Sequence, residues 1–555
     1  MTDTSGIIST ITSKITTNGV QAITATVLSS VLIAMVMWIS ASFAPMEVIY
    51  LNATCDGVAG STAGTDNTAA INSWLAQAAS GKTLRAPQGV CNFTGTLSLA
   101  NGITLNHITV KGQGDYSTTF QYVGTANNID LFDVGAGSVG DGNFINGIEL
   151  SGFRITSTTL MTAGWGLHLW HTTRGKIDVV IDGQDGTGNL YNGIWFDETD
   201  ILSVPWVDAA AKNEVVRVNG SRQSEGWWPN YVGEIHFGHG KIAPPVGAAT
   251  SIGLHVGGGV GGLTCDDVDI IANQFNLVVN EAVTGTGNQT VNTGQCFFDS
   301  PRAGGASILL DDNSANTQWQ GGVKIVTVDK WAAGAPGIPA IWLKNWTNGE
   351  LQVNGVVGGG NYGIQIDDAA ARVQVSSTAL IVNSTSYGIY SSVASPQIFL
   401  NNPSTYGNGA DLNANALGSV EPMYYSGSTC PNLSIAIGGT ALPIGDYSIQ
   451  DCTWQLSGFT VDVDFGLALT TKGATTGTLT LAGLPVMANS AFVGGSGEVG
   501  YYTNWSGLSG QLMFNVSQGG TYANIYQSSA TGVATTSNTN LTNTSTLYGN
   551  LTYRR

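Results

Sequence analysis

The chain has 555 residues, and charged residues make up only 10% of them, well below the roughly 25% of ordinary soluble proteins. Hydrophobic residues reach 42% and aromatics 9%, which excludes intrinsic disorder. A formal net charge of −18, from 19 Lys and Arg against 37 Asp and Glu, excludes the basic footprint of a nucleic-acid binder; neutral glycans remain suitable partners, and polyanionic ones require a local basic patch.

No charge occurs between Lys14 and Glu47. Within this gap, residues 23–43 (ITATVLSSVLIAMVMWISASF) have the length and apolarity of a membrane-spanning helix. The same run carries Val27, Val31, Ala34 and Trp38 in steps of 4, 3 and 4, as in a coiled-coil seam. A secretory signal fits less well, because the apolar part starts late and Asp3 precedes it. The longer run IISTITSKITTNGVQAITATVLSSVL resembles the helical segment near the N-terminus of phage tail fibres and tail spikes, with Ile11, Ile15, Asn18, Gly19, Ala22, Ile23, Thr24, Leu28, Val31 and Leu32 in matching places. That resemblance implies trimerisation or attachment to other virion tail or baseplate proteins. Residues 1–46 are therefore expected to form a helical attachment segment, with a membrane span as the alternative.

Next comes a single short helix. Thr68, Ala69, Ile71, Leu75 and Ala78 place apolar groups 3–4 residues apart, Asp66 suits the N-cap and Gly81 the stop. Short strands follow, TLRAP, CNFTG, LSL and ITLNHITVKGQG, punctuated by Gly, Pro and Asn. A parallel solenoid has an open first coil that must be covered, and a small amphipathic helix is a sufficient lid. The run from Asp56-Gly57 through Asp66, Thr68, Ala69, Ala70 and Ile71 to Pro87, Gly89, Gly112 and Gly114 resembles the N-terminal cap of pectate-lyase-like right-handed β-helices, apart from an insert, VAGSTAGT, after Gly57. The resemblance speaks for the fold and leaves the chemistry open.

Downstream, GLHL (166–169), GIWF (193–196), GLHV (253–256), GIQI (363–366) and GIYS (388–391) recur, with spacings that include 27, 25 and 60 residues. Each reads as a short strand with alternate residues facing a core. Residues 426–555 change character to longer Thr-rich strands. GTLTLAGLP, with Gly477, Leu479, Leu481, Gly483, Leu484 and Pro485, and the terminal LTNTSTLYGNLTYR resemble a β-sandwich at the C-terminus of phage tail fibres. The expected fold is all-β: attachment segment 1–46, β-helix cap 47–100, right-handed parallel β-helix 101–425 and C-terminal β-sandwich 426–555, assembled as a homotrimer. The resemblances together imply a tail spike or fibre in the virion, outside the host cell, whose partner is a host polysaccharide or lipopolysaccharide.

The six cysteines form no CxxC and no Cys/His metal spacing. Consecutive pairs 55/91, 265/296 and 430/452 lie close in sequence; disulfides and buried free thiols are both open readings.

A glycosidase needs two carboxyl groups, about 5–5.5 Å apart for retention and about 6.5–9.5 Å for inversion. Neighbouring rungs of a parallel sheet are about 4.8 Å apart, so a β-helix face builds such a pair without any local motif. The densest candidates are Asp266, Asp267 and Asp269, with Glu234 roughly one coil earlier; if Val268 and Ile270 face the core, Asp267 and Asp269 face outward together. Like-charge crowding there would raise one pKa and supply a general acid. Asp197, Glu198 and Asp200, and Asp311 and Asp312, are further groupings, and every one of these also suits coil corners. For sugar binding, Trp227, Trp228 and Tyr231 share a polar loop, where adjacent Trp side chains alternate and at least one faces away from a core. The same ring pair also suits a contact between subunits. His236, His239 and His255 lack a fixed ligand spacing, and neither a metal nor a cofactor is expected. The alternatives to a depolymerising spike are an adhesive spike without chemistry and a membrane-anchored polysaccharide lyase. The lyase needs a base and a cation, and the middle region groups basic residues only at Arg174/Lys176 and Arg217/Arg222.

Overall fold

The computed structural model describes residues 47–554 apart from 100–104, 136–144, 184–185, 220–231, 247, 249, 258–259, 281–289, 313–323, 348, 395, 414, 417–424, 428–429, 431, 458–459, 486–494, 517–519 and 530–531. The expected attachment helix and the loop with Trp227, Trp228 and Tyr231 lie outside the described residues. Among the described residues no helix is long and apolar enough to cross a membrane.

The chain is all-β, and its body is a parallel β-helix with three strand-bearing faces. The third face is a sheet of 12 parallel strands, from Leu97–Leu99 to Ala410–Leu412. The first and second faces are joined into one 20-stranded sheet. They are joined because long strands turn the corner unbroken, among them Ile145–Ser157, Thr172–Ile181, Asp200–Ala209, Val232–Ile242 and Val260–Ile271.

Period-2 alternation explains the core. On the third face one inward ladder is apolar in every rung: Leu97, Phe132, Leu167, Ile194, Val216, Leu254, Leu277, Ile308, Ile341, Ile364, Ile389 and Leu412. On the first face Leu202, Ile235, Leu263, Val291, Val326, Leu351, Val373 and Ile398 stack in the same way. The Gly-led repeats seen in the sequence are the start of third-face strands. Their glycine lies where the next rung's backbone comes close: a Cβ on Gly193 would stand 2.2 Å from the Val215 carbonyl oxygen, and one on Gly253 2.6 Å from that of Asn276.

The lid is present. Helix Thr68–Leu75 buries Ile71, Trp74 and Leu75 over the first coil, and Trp74 Nε1 donates to the Ile49 carbonyl at 3.0 Å. Asp66 accepts from the Thr68 amide (3.0 Å), as an N-terminal cap should, although Asn67 is the boundary residue. The helix ends at Leu75, short of Gly81, because the chain must already turn back to lay strand Thr83–Arg85 against Val48–Tyr50.

All six cysteines are paired as neighbours in sequence, Cys55–Cys91, Cys265–Cys296 and Cys430–Cys452. Beyond the last parallel strand the chain forms an 11-stranded antiparallel sheet from Tyr425–Gly427 to Thr546–Arg554. It folds over its own apolar face, where Phe465 and Phe514 meet edge-on with ring centroids 5.4 Å apart.

Candidate functional site

Asp266, Asp267 and Asp269 all point to solvent, while Val268 and Ile270 are buried. Their surroundings differ from the crowded acid cluster that the sequence suggested. His236 Nε2 lies 3.2 Å from Asp266, and His239 Nδ1 lies 3.1 Å from Asp267. Lys330, two rungs further on, reaches Asp267 at 3.4 Å. The hydrogen bond from His239, followed by that from Lys330, holds the Asp267 carboxyl below its ordinary range; this group is a stable anion and a poor proton donor at neutral pH. Glu234 is exposed and registers with Gly262. At a rise of about 3.3 Å per residue, that puts it roughly 13 Å or more along the strand from Asp266, outside both carboxylate spacings used in glycoside hydrolysis.

The register that separates Glu234 from the aspartates joins Asp267 to another set of residues. One outward row runs rung by rung through Tyr50, Arg85, Lys111, Ser151, Asp178, Trp206, His239 and Asp267. At about 4.8 Å per rung the row is roughly 34 Å long. Tyr50 is 66% and Trp206 47% exposed, so two aromatic faces on the row are open to solvent. Near its start lies a cleft of 320 Å³, lined by Arg85, Lys111, Asp115, Glu149, Lys176 and Asp178 together with Gly112–Gly114, Ser151 and Gly152.

The cleft combines acids and bases. Asp115 is pushed up from the usual carboxylate range by burial and then by the negative charges of Asp178 and Asp208. Asp208 is itself fixed by Tyr116, whose hydroxyl donates to it at 2.8 Å, and Arg154 packs 5.4 Å over the Tyr116 ring. Glu149 accepts from the Ser151 hydroxyl at 3.2 Å, and Lys176 pairs with Asp178 at 3.3 Å. Glu149 registers with Lys176, so Asp178 is one rung and two residues away, about 8 Å between Cα atoms. Arg85 and Lys111 are direct register partners, and among the described residues neither has an ion-pair partner. The sequence contained part of this site: Ile177 and Val179 are core residues, which places Lys176 and Asp178 outward together. Asp115 lies in a turn with no periodicity to announce it.

A second cluster sits on the third face. His168 faces outward from its strand yet has a side chain only 2% exposed, because Trp195 stacks on it at 4.1 Å and Trp170 lies 4.0 Å away. Its Nδ1 is 2.9 Å from Asp130 and 3.8 Å from Asp133, and its Nε2 is 3.5 Å from Asp197. Burial alone would lower the His168 pKa, but hydrogen bonds to Asp130 and Asp197 and their charges outweigh it and raise it. Asp133 is pushed up to about 7 by burial and by the charge of Asp130. Further along, Glu214 meets His255 at 3.2 Å and Arg217 at 3.5 Å; these partners overcome its burial and hold it below the usual range.

No family model and no curated protein matches this sequence. Solved structures align with this chain at low similarity. The Dettilon tailspike protein gp208 aligns over 92% of this chain and 94% of its own at 15% identity, with a TM-score of 0.47. ORF18 of Geobacillus virus E2 aligns over 91% and 89% at 13% identity and a TM-score of 0.38. The A-module of the Azotobacter vinelandii mannuronan C-5 epimerase AlgE4 aligns over 66% and 97% at 12% identity and a TM-score of 0.41.

Proposed function

We propose that this chain is a phage tail spike, displayed on the virion as a homotrimer, that binds a host-surface glycan along the row from Tyr50 to Asp267 and hydrolyses it in the cleft at Asp115. The N-terminal and C-terminal resemblances support the virion setting. Three disulfides suit a protein that works outside a reducing cytosol. The observation that carries the glycan reading is the row itself: two exposed aromatic faces, carboxylates and an imidazole aligned over seven rung steps beside a concave cleft. Aromatic faces stack on the apolar side of sugar rings, and the polar groups between them bind hydroxyls.

In this reading Asp115 is the general acid. Burial and the charges of Asp178 and Asp208 raise its pKa, the direction that protonation of a glycosidic oxygen requires. Glu149, the cleft carboxylate whose partner is a neutral hydroxyl, activates water. Arg85 and Lys111 receive an acidic sugar unit at the end of the row. Asp266, Asp267 and Asp269, with Glu234 upstream, bind glycan hydroxyls. The test is incubation of the protein with host capsule or lipopolysaccharide, followed by assay of new reducing ends. Product is expected from the wild type and should fall by more than 100-fold in Asp115→Asn and Glu149→Gln. Tight binding without product would select the purely adhesive spike instead, and an unsaturated product would select the lyase.

A further inference from the structure

We propose that Asp130, Asp133 and His168 on the third face form a binding site for one divalent first-row transition-metal ion, separate from the glycan cleft. One donor atom from each lies within 4.8 Å of the others. The two closest approaches, from His168 Nδ1 to Asp130 and to Asp133, are 2.9 and 3.8 Å. Ligands bound at about 2.0–2.2 Å in tetrahedral or octahedral geometry lie roughly 3.0–3.5 Å apart, so the three atoms stand close to that spacing. One imidazole and two carboxylates suit zinc, manganese or iron better than calcium.

The second observation is Asp197. Its side chain is 0% exposed, and among the described residues its one polar partner is His168 Nε2, an ion-pair contact at 3.5 Å. A buried carboxylate on the far nitrogen of a ligating histidine fixes the tautomer and turns the other lone pair toward the metal. In the tautomer that carries its proton on Nε2, Nδ1, which otherwise hydrogen-bonds to Asp130, presents a lone pair to Asp130 and Asp133. Asp133 Oδ1 is also buried and without a hydrogen bond. Three carboxylates therefore converge on one imidazole, and among the described residues no Lys or Arg pairs with any of them. A divalent cation resolves both the charge and the facing lone pairs. It would also tie the turn holding Asp130 and the strand holding Asp133 to the next rung, where His168 registers directly with Asp133.

The test uses the full-length protein stripped with chelator, titrated with Zn²⁺ and separately with Mn²⁺ by calorimetry, with the bound metal counted by elemental analysis. One equivalent per chain is expected. Asp133→Asn should weaken binding more than tenfold. Asp197→Asn, which removes only the outer carboxylate, should weaken it about 10–100-fold, with circular dichroism unchanged. Asp267→Asn should leave it as in the wild type. Absence of saturable binding at one equivalent in the wild type overturns the proposal, as does a folded Asp133→Asn variant that binds as tightly as the wild type. Cobalt loading supplies an independent readout: a visible ligand-field spectrum is expected in the wild type, and the same spectrum in Asp133→Asn would also overturn it.

Discussion

Replacing Lys111 with Gln should make the protein slightly more stable and a poorer binder of acidic glycans. Arg85 and Lys111 are partners on adjacent rungs, about 4.8 Å apart at the backbone. Two like charges at that distance repel by about 1 kcal/mol in water. Like charges directly opposite in a sheet are destabilising, and salt reduces the effect at an exposed site. The variant should thus gain up to about 1 kcal/mol in denaturant unfolding at low salt, with the gain shrinking as salt is added. The same cation supplies a charge-assisted hydrogen bond to a carboxylate or phosphate, worth about 1.5–3 kcal/mol, so affinity for an acidic oligosaccharide should fall roughly 10- to 100-fold, while a neutral one binds unchanged. Calorimetric titration with tri-galacturonate and with its neutral counterpart galactotriose, alongside unfolding curves at two salt concentrations, measures all of these. A variant that loses stability and keeps its preference for the charged sugar would refute the reasoning, since Lys111 would then be a structural residue.

Four further outcomes follow from the geometry. Asp178→Asn removes a charge that raises the Asp115 pKa; because the acid must be protonated to work, activity should be lost at a lower pH on the alkaline side, as read from the pH profile of kcat/KM. Trp206, 47% exposed and sixth of the eight residues on the row, should act through stacking, so Trp206→Ala should raise KM for long oligosaccharides with little change in unfolding. The disulfides close loops of 36, 31 and 22 residues; loop entropy makes each worth about 3–4 kcal/mol, so reductant should shift the denaturant midpoint of the full chain clearly downward. Gly193→Ala would drive a methyl to 2.2 Å from the Val215 carbonyl and should destabilise by about 1–3 kcal/mol, visible as a lower Tm or loss of soluble protein.

The fold was legible because a parallel solenoid repeats one local rule. The Gly-led strands at 166, 193, 253, 363 and 388 each carry their core residue at the same offset, and Leu167, Ile194, Leu254, Ile364 and Ile389 all fall on one ladder. The lid was legible because Ile71, Trp74 and Leu75 share one helix face. The site was less so. Alternation puts Asp267 and Asp269 outward, yet alternation says nothing about which residue of the preceding rung stands beside them. That depends on turn lengths between rungs, which run from strand Val232–Ile242 to strand Val260–Ile271 through a whole third-face strand. The one-coil estimate paired Glu234 with the aspartates, whereas the register gives them His239 and Lys241. The Asp130–Asp133–His168 cluster was hidden for a related reason: its members lie 38 residues apart at the extremes, and only stacking brings them together.

The position of the cleft follows from what the outward rows contain. The neighbouring outward row that passes through His236 and Thr264 continues as Asn292, Thr327, Gln352 and Gln374, uncharged groups some of which bond between rungs, as the Thr327 hydroxyl does to Asn292 at 3.0 Å. Such a ladder satisfies its own polar atoms and leaves little for a ligand to gain by replacing water. Between Tyr50 and Asp267 the side chains instead include two cations without an ion-pair partner among the described residues, Arg85 and Lys111, an acid whose pKa is raised, and open aromatic faces, groups that a sugar can engage by hydrogen bonding and stacking. If glycan contacts mapped by hydrogen exchange or crosslinking fell on rungs beyond Asn292 and spared the stretch from Arg85 to Trp206, self-satisfaction of the outward ladder would be the wrong criterion for locating the site.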